Sequence, residues 1–339
     1  MKFQSVLGDE DLTQKFCQLP QNIYSEGDKK FAMNPEQCRK LLILPIPFAK
    51  EAFLISDNSG AFVGRILFQS SSKANLGHWS FLALSPNLKD SDLKEIDQFM
   101  SEWFKQKNIS QAIGPYYFTT YFPYRMRVDE DKVSYPWEPK QPSYELKFME
   151  SIGHSKHAIY HSNLMKGFGH FDQKGKKEYE ALLAQGFTFR PIRTDALEEE
   201  IQILYTLSMK GFTDNYLFEP IPFELFKEVY VPSFKAVDLR MSCVQYSPDG
   251  KPIGFNFTFP QGHQVIIKSA CVLPEFRGRG LFSAGIYHGV LKTRELVPEV
   301  TDAITALVHD ENEASKRVAN SPTPQERHEY ALLMKEYSL

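Results

Sequence analysis

One order of elements (hairpin, strand, helix, strand) is written twice along this 339-residue chain, and that repetition limits the fold more than any single motif. Residues 52–68, AFLISDNSGAFVGRILF, are two alternating runs around Asp57-Asn58-Ser59-Gly60. Residues 240–259, RMSCVQYSPDGKPIGFNFTF, are two more around Ser247-Pro248-Asp249-Gly250. Both turns hold Asp, Asn or Pro to begin a bend and Gly to take a positive φ. Ile253, Phe255, Phe257 and Phe259 recur with a period of two and share one strand face. Gly60 to Gly64 and Gly250 to Gly254 both read Gly-x-x-Val/Ile-Gly. Gly77-His78 then leads through an apolar strand to Pro86, and Gly262-His263 through another to Pro274. Helical patterns follow at Asp92–Lys107 and Leu281–Leu296, then short strands at Gln111–Gly114 and Ala303–Val308. The chain is a little over twice the ~150-residue domain size. It is therefore expected to form two α/β domains of one type, 1–170 and 188–339, joined by a linker helix over 171–187 (FDQKGKKEYEALLAQGF).

Charge and cysteine usage narrow the function. Lys+Arg 39 against Asp+Glu 42 gives a net charge of -3, without the basic excess of a general nucleic-acid binder. Cys17, Cys38, Cys243 and Cys271 sit far apart with no C-x-x-C pair, which reads as reduced thiols rather than a metal site or disulfide framework. The opening MKFQSVLGDEDL lacks the apolar region of a signal peptide. The longest apolar run, Leu41 to Ala49, is broken by Pro45 and Pro47 and falls far short of the ~20 residues that span a bilayer. A cytoplasmic protein without a membrane span is expected.

The chemistry is carried by residues 265–291, VIIKSACVLPEFRGRGLFSAGIYHGVL. A β-branched run ends at Pro274, and Arg277-Gly278-Arg279-Gly280 turns the chain directly into a helix with Phe282, Ile286 and Val290 on its apolar side. Glycines allow close backbone approach, and free N–H groups at a helix N-terminus bind anions. No G-K-[ST] follows and G-x-G-x-x-G is absent, so this is neither a P-loop nor a Rossmann fingerprint. A diphosphate at the end of a strand is the ligand these residues suit.

The run Val272-Leu273-Pro274-Glu275-Phe276-Arg277-Gly278-Arg279-Gly280-Leu281 resembles the acyl-CoA signature of the GNAT acetyltransferase superfamily. That signature is Q/R-x-x-G-x-G/A after a strand often ending V-x-P. The resemblance covers about residues 188–339. It implies two GNAT-like domains, each a mixed, mostly antiparallel twisted sheet flanked by helices, in which two strands splay like a V around pantetheine. It also implies that acetyl-CoA or another acyl-CoA is the cosubstrate. Backbone amides of Arg277, Gly278, Arg279, Gly280, Leu281 and Phe282 would hold the diphosphate. Val272 and Leu273 would contact the acyl-CoA, with the Val272 N–H facing the thioester carbonyl as oxyanion donor, and Asn312 would contact pantetheine. Phe282 replaces the Gly or Ala that ends the usual signature. The family's general-acid Tyr would fall near Ala319, and no Tyr lies between Asn312 and Pro324. Gly280 is expected at a helix start with negative φ.

The first half resembles the same fold without its loop. After Pro86 it reads NLKDSDLKEID, glycine-free and acidic where a diphosphate would sit, while Tyr144–Gly153 resembles the family's late helix. The layout resembles bacterial tandem GNAT proteins with an inactive N-terminal domain. His309, beside Asp310 at a strand end, is either a loop residue or a base for an incoming amine, its unperturbed pKa lying near neutrality. His263, Tyr287 and His288 are explained by a strand start or a helix face. The aromatic run YYFTTYFPY, 116–124, either packs between domains or helps bind an acceptor. The expected reaction is acyl transfer, foremost of acetyl, to the amine of a small molecule or peptide by direct attack in a ternary complex. A non-catalytic acyl-CoA-binding protein, or a FemABX-like aminoacyl-tRNA-dependent transferase, is the alternative.

Overall fold

The computed structural model describes residues 1–129, 135, 137–313, 315–316 and 324–338. It divides into two compact units, Met1–Ile159 with Glu329–Leu339, and Tyr160–His328.

The first unit opens with β1 (Lys2–Ser5), α1 (Glu10–Ile23) and α2 (Pro35–Ile43). Asp9 caps α1 by accepting the Leu12 N–H at 3.0 Å, and Asn34 caps α2 ahead of Pro35, each satisfying N–H groups that a helix start leaves unpaired. The repeated hairpin, strand, helix and strand follow as β2 (Lys50–Ser56), β3 (Phe62–Ser70), β4 (Leu76–Leu84), α3 (Asp90–Gln106) and β5 (Gln111–Gly114). Next come β6 (Met126–Arg127), α4 (Ser143–Ser151) and β7 (Ser155–Lys166). Helix α3 has Leu93, Ile96, Met100, Trp103 and Phe104 on one stripe, and buries them against Phe53, Ile55, Phe68 and Trp79 of the sheet. Each such side chain contributes about 1.5–3 kcal/mol on burial.

The second unit holds α5 (Gly169–Ala184), β8 (Thr188–Pro191), α6 (Leu197–Gly211), α7 (Phe223–Ala236), β9 (Cys243–Tyr246), β10 (Pro252–Gln261), β11 (Gln264–Val272), α8 (Leu281–Leu296) and β12 (Asp302–His309). The last strand is β13 (Glu326–Glu336). In the first unit the strand order is β1-β2-β3-β4-β5-β13, and in the second β8-β9-β10-β11-β12-β7. Pairing is antiparallel except for β4 with β5 and β11 with β12.

These limits differ from those expected at 170 and 188. Each parallel pair is closed on its outer side by an antiparallel strand, β13 on β5 and β7 on β12. The closing strand of the first unit comes from the C-terminal end of the chain, and Tyr160–Lys166 belongs to the second. The segment expected as a linker is largely α5, packed on α8 inside the second unit. At Gly175 an added Cβ would lie 2.6 Å from the Ser283 carbonyl oxygen, so only glycine permits this approach. Asp172 and Arg294 tie the two helices by paired bonds of 2.7 Å.

Helix α8 lies on one face of the second sheet, where Val265, Ile267, Met165 and Ala303 pack with Ile286 and Val290. Helices α6 and α7 lie on the other, where Phe255, Phe257 and Ser269 line a small apolar cavity with Leu204 and Phe226. No described helix is long and apolar enough to cross a membrane.

Candidate functional site

The second sheet opens at one place. Strands β11 and β12 pair only from Gln264↔Asp302 to Ile267↔Thr305. Beyond that point Lys268 is an extra residue in β11, opposite the step from Phe257 to Thr258, and β12 carries its own irregularity between Thr305 and Val308, with Leu307 at φ 55. Bulges bend a strand and end its pairing, so the arms 268–272 and 306–309 diverge.

Val272 stands on the opened edge. Leu273 N–H donates to the Ile253 carbonyl at 2.9 Å, and Gly254 lies opposite Val272. In an antiparallel pair the directly bonded and non-bonded residue pairs alternate, so the N–H and C=O of Val272 both point away from β10. Its carbonyl accepts Arg277 Nε at 3.3 Å. Leu273 therefore spends its N–H inside the sheet, and its side chain is buried.

The loop after Pro274 is built around two left-handed glycines, Gly278 at φ 79 and Gly280 at φ 83. Gly280 is the N-cap of α8 and has a positive φ, contrary to the negative one expected, because the chain must reverse before the helix begins. An added Cβ at 280 would meet Glu178 Cγ at 2.8 Å, whereas one at 278 meets nothing within 4 Å. The first intrahelical bond of α8 runs from Ala284 N–H to the Gly280 carbonyl at 2.9 Å. The preceding amides of Leu281 and Phe282 are thus among those a helix start leaves without an intrahelical acceptor. No acid lies in the first turn, and no side chain caps it. The helix dipole adds to this anion-binding character.

The remaining candidates are placed as follows. Arg277 N–H donates to the Pro274 carbonyl at 3.2 Å, and its guanidinium bonds the Gly211 carbonyl at 2.8 Å and Asp214 at 3.1 Å. It is a brace between α6 and the strand end. The Arg279 guanidinium lies over the Phe276 ring, 5.4 Å from its centroid. The Phe282 ring packs against the core with Leu182, Leu281 and Ile286 rather than folding over the loop. Asn312 Oδ1 accepts the Ser315 N–H at 3.0 Å, as a cap. His309 lies on the α6–α7 side, its ring between Tyr160 at 4.6 Å and Tyr216 at 5.7 Å; burial pushes the Tyr216 hydroxyl up to about 12. Asp310 pairs with His161 instead, at 3.1 Å. His288 is buried against Phe189 and Tyr179, and burial pushes its imidazole down to about 4. Ala319 lies outside the described residues.

The first unit has the same strand geometry in a closed form. Strands β4 and β5 pair only over Leu76–His78, Gly64 lies opposite Leu84, and Ser85 N–H donates to the Val63 carbonyl at 2.8 Å. Leu84 is thus the counterpart of Val272. Its N–H, however, is taken by Glu145 Oε1 at 2.9 Å, which also accepts the Tyr24 hydroxyl at 2.7 Å. The Leu84 carbonyl accepts the Tyr144 hydroxyl at 3.0 Å. Glu145 is 1% exposed, and burial pushes its carboxyl up to about 8. The aromatic run after β5 fills the opened arm from within the unit: Tyr116 N–H donates to the Trp79 carbonyl at 2.9 Å, and Tyr117 packs edge-on against Phe81 at 5.1 Å. Helix α3 is capped by its own acid, with Asp92 accepting the Lys89 N–H at 2.9 Å.

No protein-family model and no curated protein matches the sequence. Solved structures do match in shape. A tandem GNAT protein from the clavulanic acid biosynthesis pathway superposes with a TM-score of 0.52 at 12% identity, over 100% of this chain and 99% of that one. The chain has the tandem GNAT fold. A probable N-acyltransferase from Enterococcus faecalis matches with a TM-score of 0.53 at 12% identity, over 99% of this chain and 72% of that one. A GCN5-related N-acetyltransferase from Anabaena variabilis gives 0.52 at 7% identity, over 99% and 73%. Within this fold the opened strand pair and the glycine loop belong to the second unit, and the filled pair belongs to the first. Sequence reasoning missed Glu145 and His161. Glu145 sits in a helical pattern read only for its ending, and His161 lies in a strand, β7, that the sequence reading did not isolate.

Proposed function

We propose that the second unit binds acyl-CoA and transfers its acyl group, foremost acetyl, to a primary amine of a small molecule or peptide. The observation that carries this is the Val272 N–H on the opened edge of β11, directly ahead of the uncapped glycine loop and α8. The amides of Gly278 to Phe282 would hold the diphosphate, leaving pantetheine to run between the diverging arms. The Val272 N–H would stabilise the oxyanion as the amine attacks the thioester carbonyl, a contribution worth ~10²–10³ in rate for one donor. His309 lies on the opposite face of the sheet from α8 and would take the amine proton there. CoA would then leave as the thiol. The first unit would not bind CoA, because Glu145 holds the amide that corresponds to Val272 and Asp92 caps the helix start. The absence of Tyr between 312 and 324 favours one second reading, a non-catalytic acyl-CoA-binding protein.

A thermal-shift panel of acyl-CoAs of increasing chain length, followed by an amine screen for released CoA thiol, tests both readings. A ligand at 100 times its dissociation constant should add ~2.7 kcal/mol of stability. Stabilisation by acetyl-CoA with amine-dependent thiol release supports the transferase. Stabilisation without release from any amine supports the binding protein, and no stabilisation by any acyl-CoA refutes both.

A further inference from the structure

Two histidines flank the outer arm of the opened pair, and they face opposite sides of the sheet. Along β7, Met165, Asn163 and His161 are each two residues apart and share one face. Met165 fixes which face, since it packs with Ile286 and Val290 of α8. The β12 irregularity leaves β7 regular, with Thr305 opposite Asn163 and Val308 opposite His161. His161 therefore points to the α8 side, as does Val272, which packs with Leu281 and Ala284. His309, opposite Tyr160 and stacked on Tyr216, points to the α6–α7 side.

The His161 side chain is 8% exposed, and its Nε2 pairs with an Asp310 oxygen at 3.1 Å. Its Nδ1 is buried and has no hydrogen-bond partner among the described residues. A buried imidazole with one nitrogen held by a carboxylate and the other unsatisfied is costly as structure alone. It is the arrangement expected of a proton donor waiting for a partner, with the carboxylate orienting the ring.

We infer that His161, oriented by Asp310, is the general acid that protonates the departing CoA sulfur. This rests on the acyltransferase reading. The tetrahedral intermediate collapses, the C–S bond breaks, and its electron pair goes to sulfur. The imidazolium Nδ1 proton passes to that sulfur and gives the free thiol. His161 is left neutral, with its Nε2–H retained on the ring and donated as a hydrogen bond to Asp310, and Nδ1 takes a new proton from solvent. The proton lost by the amine goes separately to His309 on the other face. A chain with no Tyr between 312 and 324 thereby has a histidine as its acid.

The test is single-turnover CoA release from acetyl-CoA, with the amine that gives the fastest release from a panel of amino acids, amino sugars and polyamines. It compares the parent, His161→Gln and Asp310→Asn, in H₂O and D₂O. Acetyl-CoA affinity by calorimetry and circular dichroism accompany each variant. General acid–base residues contribute ~10²–10⁴ in rate. His161→Gln should lose that factor and the parent's solvent deuterium effect on release, with acetyl-CoA affinity within about threefold of the parent. Asp310→Asn, at an exposed position that leaves folding intact, should lose about tenfold. Either variant folded, with release within threefold of the parent and an unchanged deuterium effect, overturns the assignment. So does a His161→Gln protein whose deficit lies entirely in acetyl-CoA affinity. A parent that binds no acetyl-CoA, or releases no thiol with any amine, fails earlier and removes the transferase reading itself.

Discussion

Replacing Glu145 with Gln leaves an oxygen for Tyr24 and Leu84 and removes the ionisable group. Burial moves this carboxyl from 4.5 to about 8 in the folded protein, while in the unfolded chain it titrates near its ordinary value of about 4.3. Between those values the folded state holds a proton that the unfolded state has lost. Stability from this group is therefore full below about pH 4.5 and falls as pH rises towards 8. Each pH unit is worth about 1.4 kcal/mol per proton, so the whole window amounts to roughly 5 kcal/mol. Urea unfolding of the parent and Glu145→Gln should show nearly equal stabilities near pH 4 and a variant more stable by several kcal/mol near pH 8. Above that pH the gap should level off, because both states are then ionised. A difference constant from about pH 4 to about pH 8 would contradict this. It would mean that the carboxyl is already charged where it contacts Leu84.

Val272→Pro deletes an N–H that no ladder bond uses, which an edge position tolerates. It should lower the rate of CoA release by ~10²–10³ while changing acetyl-CoA affinity by less than about tenfold, read by single turnover and calorimetry. Arg279→Ala should weaken acetyl-CoA binding less than about tenfold, since an exposed charge contact contributes ~0–1 kcal/mol; a calorimetric loss of a hundredfold would contradict it. Glu178 lays its Cβ and Cγ beside Gly280; Glu178→Gln removes an acid next to the loop and should tighten acetyl-CoA binding several-fold at low salt and less at high salt. Equal affinities at low salt would show that this carboxylate does not face the diphosphate.

Local pattern carried much of this fold. Period-two runs around Gly60 and Gly250 gave both hairpins, and the helical pattern at Leu281–Leu296 coincides with α8. The glycine loop is legible because two closely spaced glycines between a strand and a helix mark bare backbone. What escaped depends on distant parts of the chain meeting. The exchange of β7 and β13 is set by which outer strand each parallel pair lacks, and nothing in residues 326–336 announces that they close β5. Glu145 reads locally as an ordinary helix residue, and only the fold brings it to the Leu84 amide. His161 and Asp310 are 149 residues apart in sequence, so their pairing has no local signature. The sign of φ at Gly280 was misjudged for the opposite reason. A helix start suggested a helical backbone, while the turn before it required a left-handed one.

If the second unit is an acyl-CoA site and the first is closed by its own side chains, the chain should bind one acetyl-CoA. Titration calorimetry of acetyl-CoA onto the full chain and onto Gly278→Asp counts the sites and locates them. Gly278 has a positive φ and open space around an added Cβ, and Asp tolerates that backbone region better than most residues. The variant should therefore fold while placing a carboxylate at the diphosphate loop. The expected result is one site per chain in the parent and a loss of affinity of at least tenfold in the variant. Two equivalent sites in the parent, or unchanged affinity in a folded Gly278→Asp protein, would contradict it.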